Sequence, residues 1–403
     1  MPISQARLRI AFLTHEPFFP PSAGGSAEAI YLVEEMVRRG HEVHVFCPQI
    51  AEPGEIAKKF GIRLHQFTMW QMGRYAKLRN LKYLAYPFFL ERMVMLAARK
   101  LKFDLVFSQH AISAVAAGKL KARLGAPVVM NFPDLLTGFM ETWPSYVMPR
   151  PVVQALMRYE VGLPVRYDVD GVLAISDRLA DLFVERGFDR EKIRPIYFGY
   201  AAEYFPFQPR PAVGQGPAVV VMHGSLDVHH LGATAFGAIR YVTQQRPGTI
   251  FRFVAKKTPT LEAFLARAQR EIPGFKFEAP GFVPYAQVAE YLADARVGMI
   301  PYEESAGTHC AFVAKSVEYL AVGLPAVSTP LKSIQSYFGN DPMIRFATFD
   351  GEDFGRAIIS RLDEKIDEAQ ARSSAARVKA ELDWLPLCQK AVAFVEETVA
   401  GGK

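Results

Sequence analysis

Ile300-Pro-Tyr-Glu-Glu-Ser-Ala-Gly-Thr-His-Cys310, then Ala311 to Val322, then Gly323-Leu-Pro-Ala-Val-Ser-Thr-Pro330, is the stretch on which the fold turns. Val297 to Ile300 reads as an apolar strand that empties into a loop of small residues. The pattern predicts a helix from Ala311 that Gly323 and Pro325 stop, and then a second short strand, a βαβ unit. In open parallel sheets, ligands bind outside the carboxyl ends of the strands, where this loop lies. Ser305, Gly307 and Thr308 set backbone N–H groups beside a helix start, which suits a diphosphate. Lys315 and Glu318, three apart, share a helix face. Two readings stand side by side: a solvated ion pair worth a few tenths of a kcal/mol, or a cation for phosphate oxygens beside a carboxylate for a sugar diol.

Lys315-Ser-Val-Glu318-Tyr-Leu-Ala321-Val-Gly323-Leu-Pro325 resembles the nucleotide-sugar helix of GT-B glycosyltransferases of the GT4 type, in particular bacterial members with Lys-x-x-Glu-Tyr-Leu-Ala-x-Gly-x-Pro. The resemblance implies an α/β chain of two Rossmann-like, doubly wound parallel-sheet domains facing a cleft. It implies a hexosyltransferase that is retaining and metal-independent. No cofactor is implied beyond the donor itself, a UDP-sugar in first place, and the acceptor would be a glycan or a lipid-linked glycoconjugate.

Size and composition fit. At 403 residues the chain is long for one core, and half of it is hydrophobic, as in globular proteins. A formal charge of +6 and a pI near 9.0 permit an acidic partner without demanding one. Among the acidic partners, sugar nucleotides and anionic lipid are expected, and nucleic acid is not. Cys47, Cys310 and Cys388 are odd in number and far apart, so no disulfide framework is implied. Met1 leads through polar residues into a strand without signal-peptide regions, and no apolar run nears the ~20 residues of a membrane span. A cytoplasmic protein, peripheral at the inner membrane face, is expected.

Along the chain, Leu8 to Thr14, Glu42 to Cys47, Arg63 to Thr68, Asp104 to His110, Pro127 to Phe132, Gly171 to Ile175 and Ile193 to Phe198 read as strands with helices between. Gly24 and Gly25 open the first helix, and glycines there allow close approach of a phosphate or sugar. They serve equally as a plain turn. Residues 69–96 interleave bases and aromatics, which suits either an anionic membrane surface or a helix packed on its own sheet. His110 and Asp134 follow strands whose ends the resemblance places near the acceptor. Asp134 would orient or deprotonate an acceptor hydroxyl, or simply cap the turn after Pro133. The segment from Gly138 to Pro151, with Trp143 and Tyr146, reads as an unpatterned acceptor-side lid. Asp168-Val-Asp170 precedes a strand, the wrong end of a sheet for ligand, and Ser176 is a natural helix N-cap.

The Pro- and Gly-rich run before Ala218 divides the chain. The expected parts are a first domain 1–205, a linker 206–217, a second domain 218–375 and a returning helix 376–403. Ala218 to Met222, Phe251 to Ala255, Phe275 to Glu278, Val297 to Ile300 and Ala326 to Thr329 are the expected strands of the second half. His223-Gly224-Ser225 stands where the family shows Gly-Arg, and His229 or His230 where it shows a lysine that neutralises the diphosphate. Cys310 replaces the first acid of the family's Glu-x7-Glu pair, with Glu303 or Glu304 as substitutes. His223, His229 and His230 cluster without an evident converging carboxylate, and no metal is expected. The expected donor contacts are Gly24, Gly25, Gly224, Ser225, Lys256, Phe282, Val283, Gly307, Thr308, Lys315 and Glu318. His110, Asp134 and Glu318 would be catalytic. A nucleotide-sugar 2-epimerase and a non-catalytic sugar-nucleotide or glycan-binding relative remain open as alternatives.

Overall fold

The computed structural model describes residues 7–20, 24–68, 79–211, 214 and 216–401. It resolves into two compact units, each built around one parallel sheet. The first contains Met1–Thr137, Gln154–Tyr197 and Leu385–Lys403, and the second Gly138–Val153 and Phe198–Trp384.

In the first unit the described strands are β1 (Arg9–Thr14), β2 (Glu42–Pro48), β3 (Arg63–Phe67), β4 (Leu105–Gln109), β5 (Val128–Phe132), β6 (Gly171–Ala174) and β7 (Ile193–Pro195). They pair in the order β3-β2-β1-β4-β5-β6-β7, every pair parallel. β4, β5 and β6 are buried along their whole length, because helices cover both faces of a parallel sheet. Strand order reverses between β1 and β4, where Thr14 lies beside Gln109. Asp170 is spent at the opposite edge: its Oδ2 accepts from Val128 N at 2.7 Å and its Oδ1 lies 3.1 Å from Lys121 Nζ. Ser176 Oγ accepts from Leu179 N at 3.2 Å, the expected N-cap.

In the second unit are β8 (Val219–His223), β9 (Ile250–Val254), β10 (Lys276–Glu278), β11 (Val297–Ile300), β12 (Ala326–Ser328) and β13 (Ile344–Phe346), paired in parallel as β10-β9-β8-β11-β12-β13. Here the reversal falls between β8 and β11, with Gly298 opposite Val221. β13 was not among the expected strands. The helix expected from Ala311 to Val322 is also different. Ala306–Cys310 and Ala314–Ala321 are separate helices, with Ala311 and Val313 extended between them. Phe312 holds the break, its ring 5.3 Å from that of Tyr337 and 5.8 Å from that of Phe338. Among the described residues no helix is long and apolar enough to cross a membrane.

One close approach locks the helix Ala314–Ala321 onto the reversal point. Tyr319 is fully buried, its hydroxyl donates to Val221 O at 3.1 Å, and its ring occupies the space above Gly298. A Cβ on Gly298 would lie 2.4 Å from Tyr319 Cδ2. Gly298→Ala is therefore expected to cost about 1–3 kcal/mol through overpacking, read as a lowered urea midpoint.

Candidate functional site

Lys315 and Glu318 come into focus first. Both are buried, at 7% and 4% exposure, which removes the solvated-ion-pair reading. They are also separately partnered. Glu318 Oε2 meets His223 Nε2 at 2.5 Å, while Lys315 Nζ lies 3.3 Å from His230 Nε2 and 3.3 Å from the Tyr302 hydroxyl. His223 ends β8, and Tyr302 follows β11, so the group gathers at the carboxyl edge where strand order reverses. Gly224 comes next, at φ +93°, a conformation glycine adopts without strain; a Cβ there would lie 3.6 Å from Lys315 Cε and Nζ. Burial pulls the Lys315 ammonium down to about 8, against the opposing charges of Glu318 and Asp227. His223 Nδ1 is buried without a hydrogen-bond partner.

Asp227 is the converging carboxylate that the sequence reading did not find. Its Oδ1 lies 2.7 Å from His229 Nδ1 and 3.2 Å from His230 Nδ1, and these three residues offer atoms close enough for a metal ion. The tautomer argues otherwise. An ammonium donating to His230 Nε2 uses the lone pair there, and Nδ1 lies between the Asp227 carboxylate, Oδ1 at 3.2 Å, and the Asp227 N–H at 3.3 Å, so the three groups form a chain. Burial opposes charge on Asp227, yet the two histidine hydrogen bonds hold its carboxyl well below the usual range. Burial and the Lys315 charge keep His230 well below the usual imidazole value, hence neutral.

Other expected donor residues lie around this group with different standing. Ser225 and Lys256 are exposed after β8 and β9, and Phe282 stands exposed with Val283 half-buried beside it. The loop from Ser305 is not open as expected. Ser305 N donates to Thr308 Oγ1 at 2.9 Å, Thr308 N donates to Ser305 Oγ at 3.0 Å, and Ala306 N donates to Glu141 Oε2 at 2.6 Å. Thr308 is fully buried, so it and Ser305 are used up in capping their own short helix. Gly307 lies against Gly138 and Phe139, so close that its Cβ would be 2.4 Å from Phe139 N. Glu303 Oε1 accepts from Thr234 N at 2.9 Å, and Glu304 Oε1 lies 3.3 Å from His309 Nε2. The segment expected as a lid begins as a 3-10 turn, Gly138–Thr142, packed within the second unit.

At the corresponding edge of the first sheet, buried Glu28 Oε2 accepts from Gln109 Nε2 at 2.8 Å, and Gln109 Oε1 accepts from Asn131 Nδ2 at 2.8 Å. Burial raises Glu28 to about 7 despite those bonds. Half-buried Asp134, just beyond β5, is raised to about 8 by burial and then by Glu28, Glu160 and Glu16. Buried Glu160 is fixed by Leu136 N at 2.9 Å and Thr137 N at 2.8 Å. His110 begins its helix at φ +69°, a left-handed strain for a non-glycine, with Nε2 3.9 Å from Glu16 Oε2. Burial lowers its pKa, so the ring is neutral near pH 7. Gly24 and Gly25 open the helix Gly24–Arg38 that follows β1.

Residues 23–199 match the family described as a glycosyl transferase 4-like domain. HepE from Anabaena, solved with UDP and glucose, is 16% identical, covers 97% of this chain and 100% of its own, and superposes with a TM-score of 0.69. Sucrose-phosphate synthase from Thermosynechococcus elongatus gives 14% identity, 98% and 100% coverage and a TM-score of 0.73. WaaG, a glycosyltransferase of lipopolysaccharide biosynthesis, gives 15%, 95% and 98%, and 0.63. No curated protein sequence matches the chain. The fold is GT-B, two Rossmann-like parallel-sheet units. Residues 23–199 thus resemble a GT4-like glycosyl transferase domain, and the chain as a whole has the GT-B fold.

The raised carboxyls have a measurable consequence. Between the usual carboxyl value and about 8, Asp134 holds a proton when folded that the unfolded chain has released, so its contribution falls as pH rises through that window. Asp134→Asn is therefore expected to be near neutral at pH 4 and to stabilise by about 1–3 kcal/mol at pH 9, read from urea midpoints at the two values.

Proposed function

We propose that the protein transfers a hexose from a nucleotide sugar, a UDP-sugar in first place, to a glycan or lipid-linked acceptor. The observation that carries this is the buried Lys315 and Glu318, separately partnered at the strand-order reversal of the second sheet. Lys315, under the open face of Gly224, meets the diphosphate, and Glu318, oriented by His223, accepts from a sugar hydroxyl. As the bond between the anomeric carbon and the diphosphate breaks, its electron pair goes to phosphate oxygen, which the ammonium stabilises. The acceptor oxygen forms the new bond and releases its proton to a base. His110, neutral near pH 7, suits that role better than Asp134, which is protonated there and suits orientation. Retention of configuration and independence of metal enter this reading from the family resemblance. So do contacts from Gly24, Gly25, Ser225, Lys256, Phe282, Val283 and Gly307, and the domain limits 1–205, 206–217, 218–375 and 376–403. UDP and UDP-glucose, bound in HepE structures, support a nucleotide-sugar donor.

The acceptor side of the proposal includes a cytoplasmic, peripheral position at an anionic membrane. Residues 69–78 of the basic and aromatic segment lie outside the described residues. On the helix Arg79–Ala98 that follows, Leu84 is 78% and Phe88 57% exposed, in line with exposed Arg92 and Leu96 at four-residue steps. An apolar stripe bearing a cation fits a headgroup boundary. Ser at both Leu84 and Phe88 is expected to abolish sedimentation with vesicles of one-third anionic lipid; unchanged sedimentation would refute the membrane position.

Thermal-shift titration against UDP, GDP, dTDP, ADP, CMP and their sugars tests the donor site. A ligand at a hundredfold excess over its Kd adds about 2.7 kcal/mol, a clear rise in Tm. Glu318→Ala and Lys315→Ala are each expected to remove most of the rise, and a rise unchanged in both would overturn the assigned roles. Turnover of the donor without any acceptor would favour an epimerase instead.

A further inference from the structure

The family's usual arginine and lysine are missing after β8, where Ser225 and the histidines stand, so the donor's diphosphate needs its charge met by another group. We propose that Asp227 and His230 are positioning residues that hold Lys315 protonated and aimed over Gly224, making it the cation for the departing diphosphate. The inference rests on the donor reading above.

Three geometric facts support it. Lys315 Nζ has two of its directions fixed, toward His230 Nε2 at 3.3 Å and the Tyr302 hydroxyl at 3.3 Å. The side that remains faces Gly224, where even a Cβ would stand only 3.6 Å away, so a phosphate oxygen above that glycine lies within hydrogen-bond reach. Behind His230, Nδ1 lies 3.2 Å from Asp227 Oδ1 and 3.3 Å from the Asp227 N–H, and Asp227 Oδ1 lies 2.7 Å from His229 Nδ1. A negative carboxylate behind the imidazole makes Nε2 a better acceptor, and a better acceptor favours the charged lysine. Asp227 is 52% exposed at its side chain, so the chain runs from solvent to a buried ammonium. The charged and titratable groups around the lysine are Glu318 on its own helix, Asp227, His229 and His230 from the β8 loop, and Tyr302 from the β11 loop.

Such a chain leaves a signature that simple packing does not. UDP affinity, measured by isothermal titration calorimetry from pH 6 to pH 10, is expected to fall as Lys315 loses its proton above about 8. Asp227→Asn and His230→Phe are expected to move that fall down by about one pH unit, roughly fivefold weaker UDP binding at pH 8 and approaching tenfold at pH 9 and above, with little change at pH 6. His230→Gln, whose side-chain oxygen still accepts from the lysine but has no imidazole to couple it to Asp227, is expected to recover only part of the shift. Lys315→Arg keeps its charge throughout and separates loss of the lysine proton from titration of the nucleotide. Should Lys315→Gln lose binding while Asp227→Asn and His230→Phe keep the wild-type midpoint, the lysine acts without the chain and the inference falls. Should UDP fail to bind the wild-type protein, or bind equally well to Lys315→Gln, the donor reading itself is wrong and the inference falls with it.

Discussion

Much of this molecule depends on burying one ammonium beside one carboxylate at the edge of a parallel sheet. An unpaired charge removed from water costs several kcal/mol, so the surroundings of Lys315 have to supply partners from separate parts of the chain. Tyr302 arrives on the loop after β11 and His230 on the loop after β8, while His223, the last residue of β8, takes Glu318. That arrangement requires the helix Ala314–Ala321 to sit tightly across β8 and β11. Tyr319, seated over Gly298 and bonded to Val221, supplies the seat. Sheet topology, core packing and site chemistry thus converge on eight residues of helix.

How much of this was legible in the sequence follows from how local each signal is. Alternating apolar runs and glycine stops marked nearly every strand, because buried parallel strands read as continuous apolar segments whatever surrounds them. Lys315 and Glu318 were legible for the same reason, since they lie on one short motif. Their partners were not. His230 is 85 residues away in sequence from Lys315, and His223 is 95 from Glu318. Only the adjacency of β8 and β11 brings them together, and a histidine in isolation does not announce its neighbour. Asp227 was overlooked as the carboxylate between two histidines, although the Asp-x-His-His spacing was there to be read.

Two readings failed where a short polar segment had more than one use. Ser305 and Thr308 looked like open N–H donors at a helix start, yet the same residue types are the ones that cap helices on themselves, and here they do so. Around Asp134 the missing information was distance. Glu16, Glu28, Asp134 and Glu160 are scattered in sequence, and only the fold shows acids so close that burial and mutual repulsion keep protons on some of them.

The division of the chain bears on its synthesis. Because the first unit includes Leu385–Lys403, its last helix cannot join it until the whole of the second unit has been made. Glu396, on that helix, receives Arg39 Nη1 at 2.6 Å and His41 Nε2 at 3.0 Å, so these two side chains wait for a carboxylate some 350 residues downstream. The early-emerging half is accordingly an unfinished body during translation, with its closing contacts among the last to form.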